Sequence, residues 1–86
     1  YISFSGTLTF KNARRVREVA AAVPRDRILI ETDAPYLTPH PHRGERNHSG
    51  FLHLTCEMLA EVFGVTPEEA SAITFANART LFRLPF

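Results

Sequence analysis

Ile28-Leu29-Ile30 is an unbroken apolar run that stops at two carboxylates, Glu31 and Asp33. A strand with one wet face alternates apolar and polar residues. A strand without alternation is covered on both faces, as in a parallel sheet flanked by helices. This run therefore constrains the fold more than any other feature of the chain. It asks for neighbouring strands and for helices above and below, and it drives charged groups to the end of a buried element.

The residues upstream supply part of what it asks for. Tyr1-Ile2-Ser3-Phe4-Ser5 alternates bulky and small side chains and stops at Gly6, which predicts a strand over 1–5. Phe10, Ala13, Val16, Val19, Ala20 and Val23 recur at helical spacing over 11–23, with Thr9 or Asn12 available as caps and Pro24 as the terminator. Asp26-Arg27 turns the chain into a second strand over 28–33. Strand, helix and strand within about thirty residues make a βαβ unit. Its strands are expected to be parallel and its crossover right-handed.

After Asp33 the periodicity is lost. Ala34 to Ser49 holds Pro35, Pro39 and Pro41, and so long a loop in a small domain is functional or disordered. A second helix is predicted over 51–63, with Leu54, Met58, Leu59 and Val62 on its apolar side and Gly64 at its stop. Thr66-Pro67-Glu68-Glu69 is a capping box with proline at the first helical position. It opens a third helix over 67–82 carrying Ala70 and Ile73, and Phe75, Leu81, Phe82 and Leu84 follow. Two parallel strands do not make a stable sheet alone, so the α/β fold is incomplete in this chain.

Composition narrows the class. At 86 residues one small domain is the ceiling, and 44% hydrophobic with 22% charged residues argues against disorder. No apolar run reaches the length of a membrane span. The start lacks a basic signal region and an initiator Met, so the chain reads as a piece of something longer. Cys56 is the sole cysteine; it cannot form an internal disulfide, and a reducing, cytoplasmic compartment is the default. A net charge of +1 excludes a general electrostatic binder of nucleic acid. Nine of the ten basic residues are arginine, whose planar fork suits phosphate, although a biased base composition explains the count equally well.

Asp33 is the first candidate for chemistry. Active sites of parallel α/β folds gather at the C-terminal ends of strands, where a carboxylate can bind a metal or act as a general base. The competing reading is an Asp that caps the turn Asp33-Ala34-Pro35. Glu31 shares a face with Asp33 in a regular strand, and a buried Glu needs a partner. An ion pair with an Arg or His beyond these residues is the favoured reading, ahead of a direct metal contact. His40-Pro41-His42, with His48 nearby, has a ligand-like spacing. The intervening proline and loop flanks favour solvated histidines or phosphate contacts instead. Arg43-Gly44-Glu45-Arg46-Asn47 sets two arginines and an amide beside a glycine, which suits a phosphodiester or else a solvated turn. Cys56 reads as a core residue. No P-loop, dinucleotide fingerprint or Ser–His–Asp arrangement is present.

"ISFSG", "ETDAPYL", "RGERN" and "NARTLF" occur in the order and spacing of the C-terminal third of TatD-family metal-dependent deoxyribonucleases, which the chain resembles over essentially its whole length. The resemblance implies a (β/α)8 TIM barrel of the amidohydrolase type, with residues 1–86 as the C-terminal part of a single hydrolase domain and these strands as its last two. It implies one or two divalent metals (Mg, Zn or Mn) hydrolysing phosphodiester bonds of DNA. In the family pattern Asp33 is a metal ligand or catalytic base, with Glu31 beside it. Arg43, Arg46 and Asn47 become candidates for substrate binding. Asn47 is followed by His48-Ser49-Gly50 where the family usually has Glu-Pro or similar. The family's other ligands, an N-terminal His-x-His, a Glu and two further His, would lie upstream of Tyr1 with the remaining strands. Two alternatives stand beside the nuclease: a non-catalytic piece that binds or self-associates through open strand edges, and an amidohydrolase-type ester or amide hydrolase. The 86-residue chain alone is expected to be inactive.

Overall fold

β1 (Ile2–Phe4) and β2 (Ile28–Ile30) lie side by side and parallel in the computed structural model, which describes residues 1–83. Ile2 faces Ile28, Ser3 faces Leu29 and Phe4 faces Ile30. Between them run a 3-10 turn over Gly6–Thr9, helix α1 (Arg14–Ala22) and a second 3-10 turn over Arg25–Arg27. After the long loop come a 3-10 turn over Ser49–Phe51, α2 (Leu52–Phe63) and α3 (Pro67–Phe82). The predicted parallel strand pair and all three helices are present. The strands are shorter than expected, and Leu84 lies outside the described residues.

The core sits on the face of the sheet covered by α1 and α2. Phe4, Leu8, Ala20, Ile28, Leu59 and Phe63 form one buried cluster, with Val16, Val23, Met58 and Val62 packed against its rim. Leu8, Ile28 and Leu59 lose all contact with solvent. Each is worth about 1.5–3 kcal/mol of hydrophobic burial. A satellite cluster of Cys56, Ala60 and Ala70 joins α2 to α3, as expected for a core thiol. The Cys56 Sγ donates weakly to the Pro67 carbonyl at 3.6 Å. Burial pushes this thiol above its ordinary value of 9.0, and the carboxylates of Glu57 and Glu68 add to the shift.

The helix ends follow local chemistry with one correction. Thr66 accepts from the Glu69 amide at 3.1 Å and opens α3 with Pro67 in its first turn. Gly64 stops α2 at φ 71°, in the left-handed region. Neither Thr9 nor Asn12 caps α1, however. The N-cap is Ala13 and makes no side-chain bond. The Arg17 guanidinium instead ties the turn before α1 to the helix, donating to the Leu8 carbonyl at 3.1 Å and to that of Phe10. Thr9 is committed elsewhere, donating to the Gly6 carbonyl and accepting the His40 amide, both at 2.7 Å.

α3 fastens the start of β2 through one buried amide. Asn77 Nδ2 donates to the carbonyls of Arg25 and Ile28, each at 2.7 Å. Arg25 in turn donates to the Phe63 carbonyl at 2.7 Å, satisfying an end of α2, and its guanidinium lies 4.9 Å from the Phe63 ring centre. Ile2 on β1, Val19 on α1 and Phe75 on α3 remain exposed. No described helix is long and apolar enough to cross a membrane. Asn77→Ala strands two carbonyls, each costing about 1–3 kcal/mol when buried. The expected loss is about 2–4 kcal/mol in urea unfolding followed by circular dichroism, with an unchanged slope.

Candidate active site

The ladder ends one residue after β2, where the Glu31 amide donates to the Phe4 carbonyl at 2.8 Å. Alternation ends with it. Asp33 has φ 55°, in the left-handed region that Asp tolerates better than most residues. The turn closes when the Tyr36 amide donates to the Asp33 carbonyl at 2.8 Å. One expectation is corrected here: the strand does not continue regularly to Asp33, because the chain turns there. Glu31 is exposed at the end of this two-stranded sheet. Asp33 is also exposed, and its carboxylate makes no ion pair or hydrogen bond with the described residues.

The proline-rich loop is ordered by buried polar groups. Asn47 is only 3% exposed, and its Nδ2 donates to the carbonyls of Thr32 and Tyr36, each at 2.7 Å. Its amide nitrogen donates to the Pro35 carbonyl at 3.1 Å, so Asn47 grips both sides of the turn that holds Asp33. Its Oδ1 is buried with no donor among the described residues, so the clamp uses only the amide's donors. Thr38 Oγ1 donates to the Glu45 carbonyl at 2.6 Å. Leu37 has φ 56°, rare for a bulky residue and held only where the surroundings over-determine it. Its carbonyl comes so close to the turn after β1 that a Cβ on Gly6 would meet it at 2.3 Å.

The histidines pack rather than converge. His42 Nδ1 lies 2.7 Å from Glu45 Oε2, and its ring stacks on Phe51 at 4.5 Å between centres. His48 lies against the same ring at 4.1 Å, and its Nδ1 accepts the Gly50 amide at 3.0 Å. His40 enters the loop's bonding through its backbone. Among the described residues no three His, Cys, Asp or Glu side chains are grouped to hold a metal ion. Arg43 lies 3.8 Å over the centre of the Phe10 ring, and Arg46 is exposed; neither guanidinium hydrogen-bonds to a described residue. The structure thus carries Asp33, Arg43, Arg46 and Asn47 on one loop, with Glu31 at its start. Gly6 and Tyr36 also carry this geometry, although their residue types alone do not mark them as site residues. The signal for Gly6 is a glycine directly after a strand.

A parallel strand that ends in a carboxylate unpaired among the described residues, beneath a braced loop, is the arrangement of α/β folds that gather polar groups at the strands' C-terminal ends. The TatD related DNase family model matches residues 1–83, and the chain belongs to that family. It is 50% identical over 98% of its length to the uncharacterized metal-dependent hydrolase YabD of Bacillus subtilis, covering 33% of that protein. It is 48% identical to the uncharacterized metal-dependent hydrolase TatD of Mycobacterium tuberculosis over 96% of its length, covering 31% of that relative. The crystal structure of YjjV, a TatD homologue from Escherichia coli K12, superimposes with a TM-score of 0.86 at 30% identity, over 98% of this chain and 32% of that one. The chain therefore spans about a third of the length of these relatives. It supplies two parallel strands with helices of a (β/α)8 barrel that these residues do not complete.

Gly6→Ala is expected to push the Leu37 carbonyl away and loosen the loop. Trypsin cleavage after Arg43 and Arg46 should accelerate several-fold, with cleavage after Arg17 unchanged. Equal rates at all three sites in mutant and parent would show that the close approach does not hold the loop.

Proposed function

We propose that this chain forms part of a metal-dependent hydrolase that cleaves phosphodiester bonds in DNA, as the C-terminal part of a single TatD-like domain. The observation that carries the reading is Asp33: a carboxylate with no partner among the described residues, at the C-terminal end of a parallel strand, in a turn gripped by Asn47. Names of relatives support a metal-dependent hydrolase, and the family's description supports a DNase.

The donor set fits a divalent ion in part. Asp33 offers one hard oxygen ligand, and a catalytic site needs about three protein ligands, so the others come from the rest of the barrel. A bound ion supplies Lewis acidity and a nucleophilic water at neutral pH. The chain's own residues hold and orient. Asp33 either holds the ion or accepts a proton at its carboxylate. Arg43 and Arg46 offer N–H donors to non-bridging phosphate oxygens, the pairing to which the guanidinium fork is matched. Asn47 serves the substrate-binding wall from beneath, by fixing the loop that carries both arginines. Glu31, exposed at the same strand end, pairs with a cationic group of the complete barrel.

Two measurements test the reading. In the complete barrel, Asp33→Asn should lower metal-dependent hydrolysis of DNA by roughly 10²–10⁴-fold, the range for a lost proton-transfer group. Asn tolerates the left-handed backbone as well as Asp does, so the melting temperature should stay put. Wild-type turnover with Mg²⁺, Mn²⁺ or Zn²⁺ would remove Asp33 from the chemistry. The isolated 86-residue chain, offered the same metals and single-stranded DNA, should release no nucleotides above an Asp33→Asn control. Activity that vanishes only in the control would mean that these residues complete a site by themselves.

A further inference from the structure

Thr9 holds two distant segments together with a single hydroxyl. It ends the turn Gly6–Thr9 that follows β1 and is 6% exposed, a burial that can only deepen as more chain packs around it. Its one proton goes to the Gly6 carbonyl at 2.7 Å, and a lone pair accepts the His40 amide at 2.7 Å. The turn itself is seated in the core through Leu8, which loses all contact with solvent in the cluster it shares with Leu59 and Phe63. Arg17 fixes it further by donating to the carbonyls of Leu8 and Phe10. Thr9 therefore offers the loop after β2 a stationary point of attachment.

The part of the loop that it holds is a closed lobe. Thr38 Oγ1 donates to the Glu45 carbonyl at 2.6 Å and shuts the lobe at its neck. Within it the amides of His42 and Glu45 donate to the carbonyls of Pro39 and His42 at 2.8 and 3.0 Å. A lobe bonded to itself in this way moves as a body, so its place over the sheet depends on what joins it to the neighbouring turn. Among the described residues the bond from His40 to Thr9 is the one hydrogen bond between lobe and turn. Beside it the Arg43 guanidinium lies 3.8 Å over the ring centre of Phe10, the residue after Thr9. Asp33 is held separately: its turn is gripped by Asn47 at the Thr32 and Tyr36 carbonyls, and neither bond involves Thr9.

We propose that Thr9 is a positioning residue: through the His40 amide it sets where the lobe holds Arg43, and so the site's grip on substrate, without acting on Asp33. The proposal rests on the phosphodiesterase reading for what Arg43 binds, but the placement of Arg43 is a separate claim about the protein alone. A guanidinium placed before substrate arrives has less freedom to lose on binding. Such placement strengthens the bound substrate and the transition state alike, so it acts on KM rather than on kcat.

The test compares Thr9→Val, which keeps the side chain's shape and removes both bonds, with Thr9→Ser, which keeps the hydroxyl. Thr9→Ala is a second hydroxyl-free variant to use if the valine protein does not fold. In the complete protein, NMR reads two quantities without substrate: the exchange rate of the His40 amide, and the upfield shift that the Phe10 ring gives the Arg43 side-chain signals. Thr9→Val is expected to speed His40 exchange roughly tenfold and to erase the Arg43 shift, whereas Thr9→Ser keeps both. With DNA, Thr9→Val should raise KM roughly tenfold and leave kcat within about twofold, while Asp33→Asn lowers kcat with the Arg43 shift intact. A His40 amide or an Arg43 shift that ignores Thr9→Val would overturn the proposal. So would a KM that stays put when the shift is lost, or a fall in kcat at constant KM. A shift lost in Thr9→Val and kept in Thr9→Ser, in a protein that cuts no DNA, would keep Thr9 as the residue that places Arg43 and defeat the hydrolase reading. DNA hydrolysis with no response of Arg43 would do the reverse.

Discussion

Two asparagine amides hold the short strand β2 in place, and the placement of both core and candidate site depends on them. Asn77 grips the carbonyls of Arg25 and Ile28 at its entrance, while Asn47 grips those of Thr32 and Tyr36 just past its exit. A three-residue strand with one hydrogen-bonded neighbour cannot fix its own ends through the ladder. Each buried amide satisfies two main-chain carbonyls, and the asymmetry between a made and an unmade bond is what gives such clamps their leverage. One clamp belongs to α3 and so reports on packing. The other belongs to the loop and so fixes the turn in which Asp33 stands.

Four of the nine arginines fall into two contrasting pairs. Arg17 and Arg25 donate to main-chain carbonyls at the ends of turns and helices, a structural task for which a fork of donors with no acceptor is suited. Arg43 and Arg46 do no such work within the described residues and stand on the loop beside Asp33. Excess arginine is therefore neither all compositional drift nor all ligand binding. The distinction comes from which guanidinium has a carbonyl to satisfy.

The fold was legible where apolar spacing or end chemistry was strong. Ile28-Leu29-Ile30, the Thr66-Pro67 start and the Gly64 stop all act through local physics, and each appears where expected. The cap of α1 was not legible, because Thr9 is engaged by Gly6 and His40, and the latter is thirty-one residues away. Asp33 was visible as a strand-end carboxylate, yet its left-handed backbone was not, since alternation carries no mark of where a strand turns. The family motifs contain Asn47 and Tyr36 without disclosing their roles. Those roles depend on long-range contacts with carbonyls that spacing alone cannot encode.

The open charge at Asp33 ties the clamp to the missing part of the barrel. In this chain the carboxylate faces water, and it needs no partner there. Enclosed at the mouth of a barrel, the same group would incur several kcal/mol of desolvation unless cations approached it. The chain's own cations, Arg43 and Arg46, stand on the adjoining loop without compensating it by any ion pair. A carboxylate in a clamped turn, unpaired among the described residues, is left free for the positive ligand that the proposed function assigns to it. The clamp rather than the charge is thus the demanding part of the design: it holds Asp33 in a left-handed turn and so fixes the backbone from which its carboxylate projects.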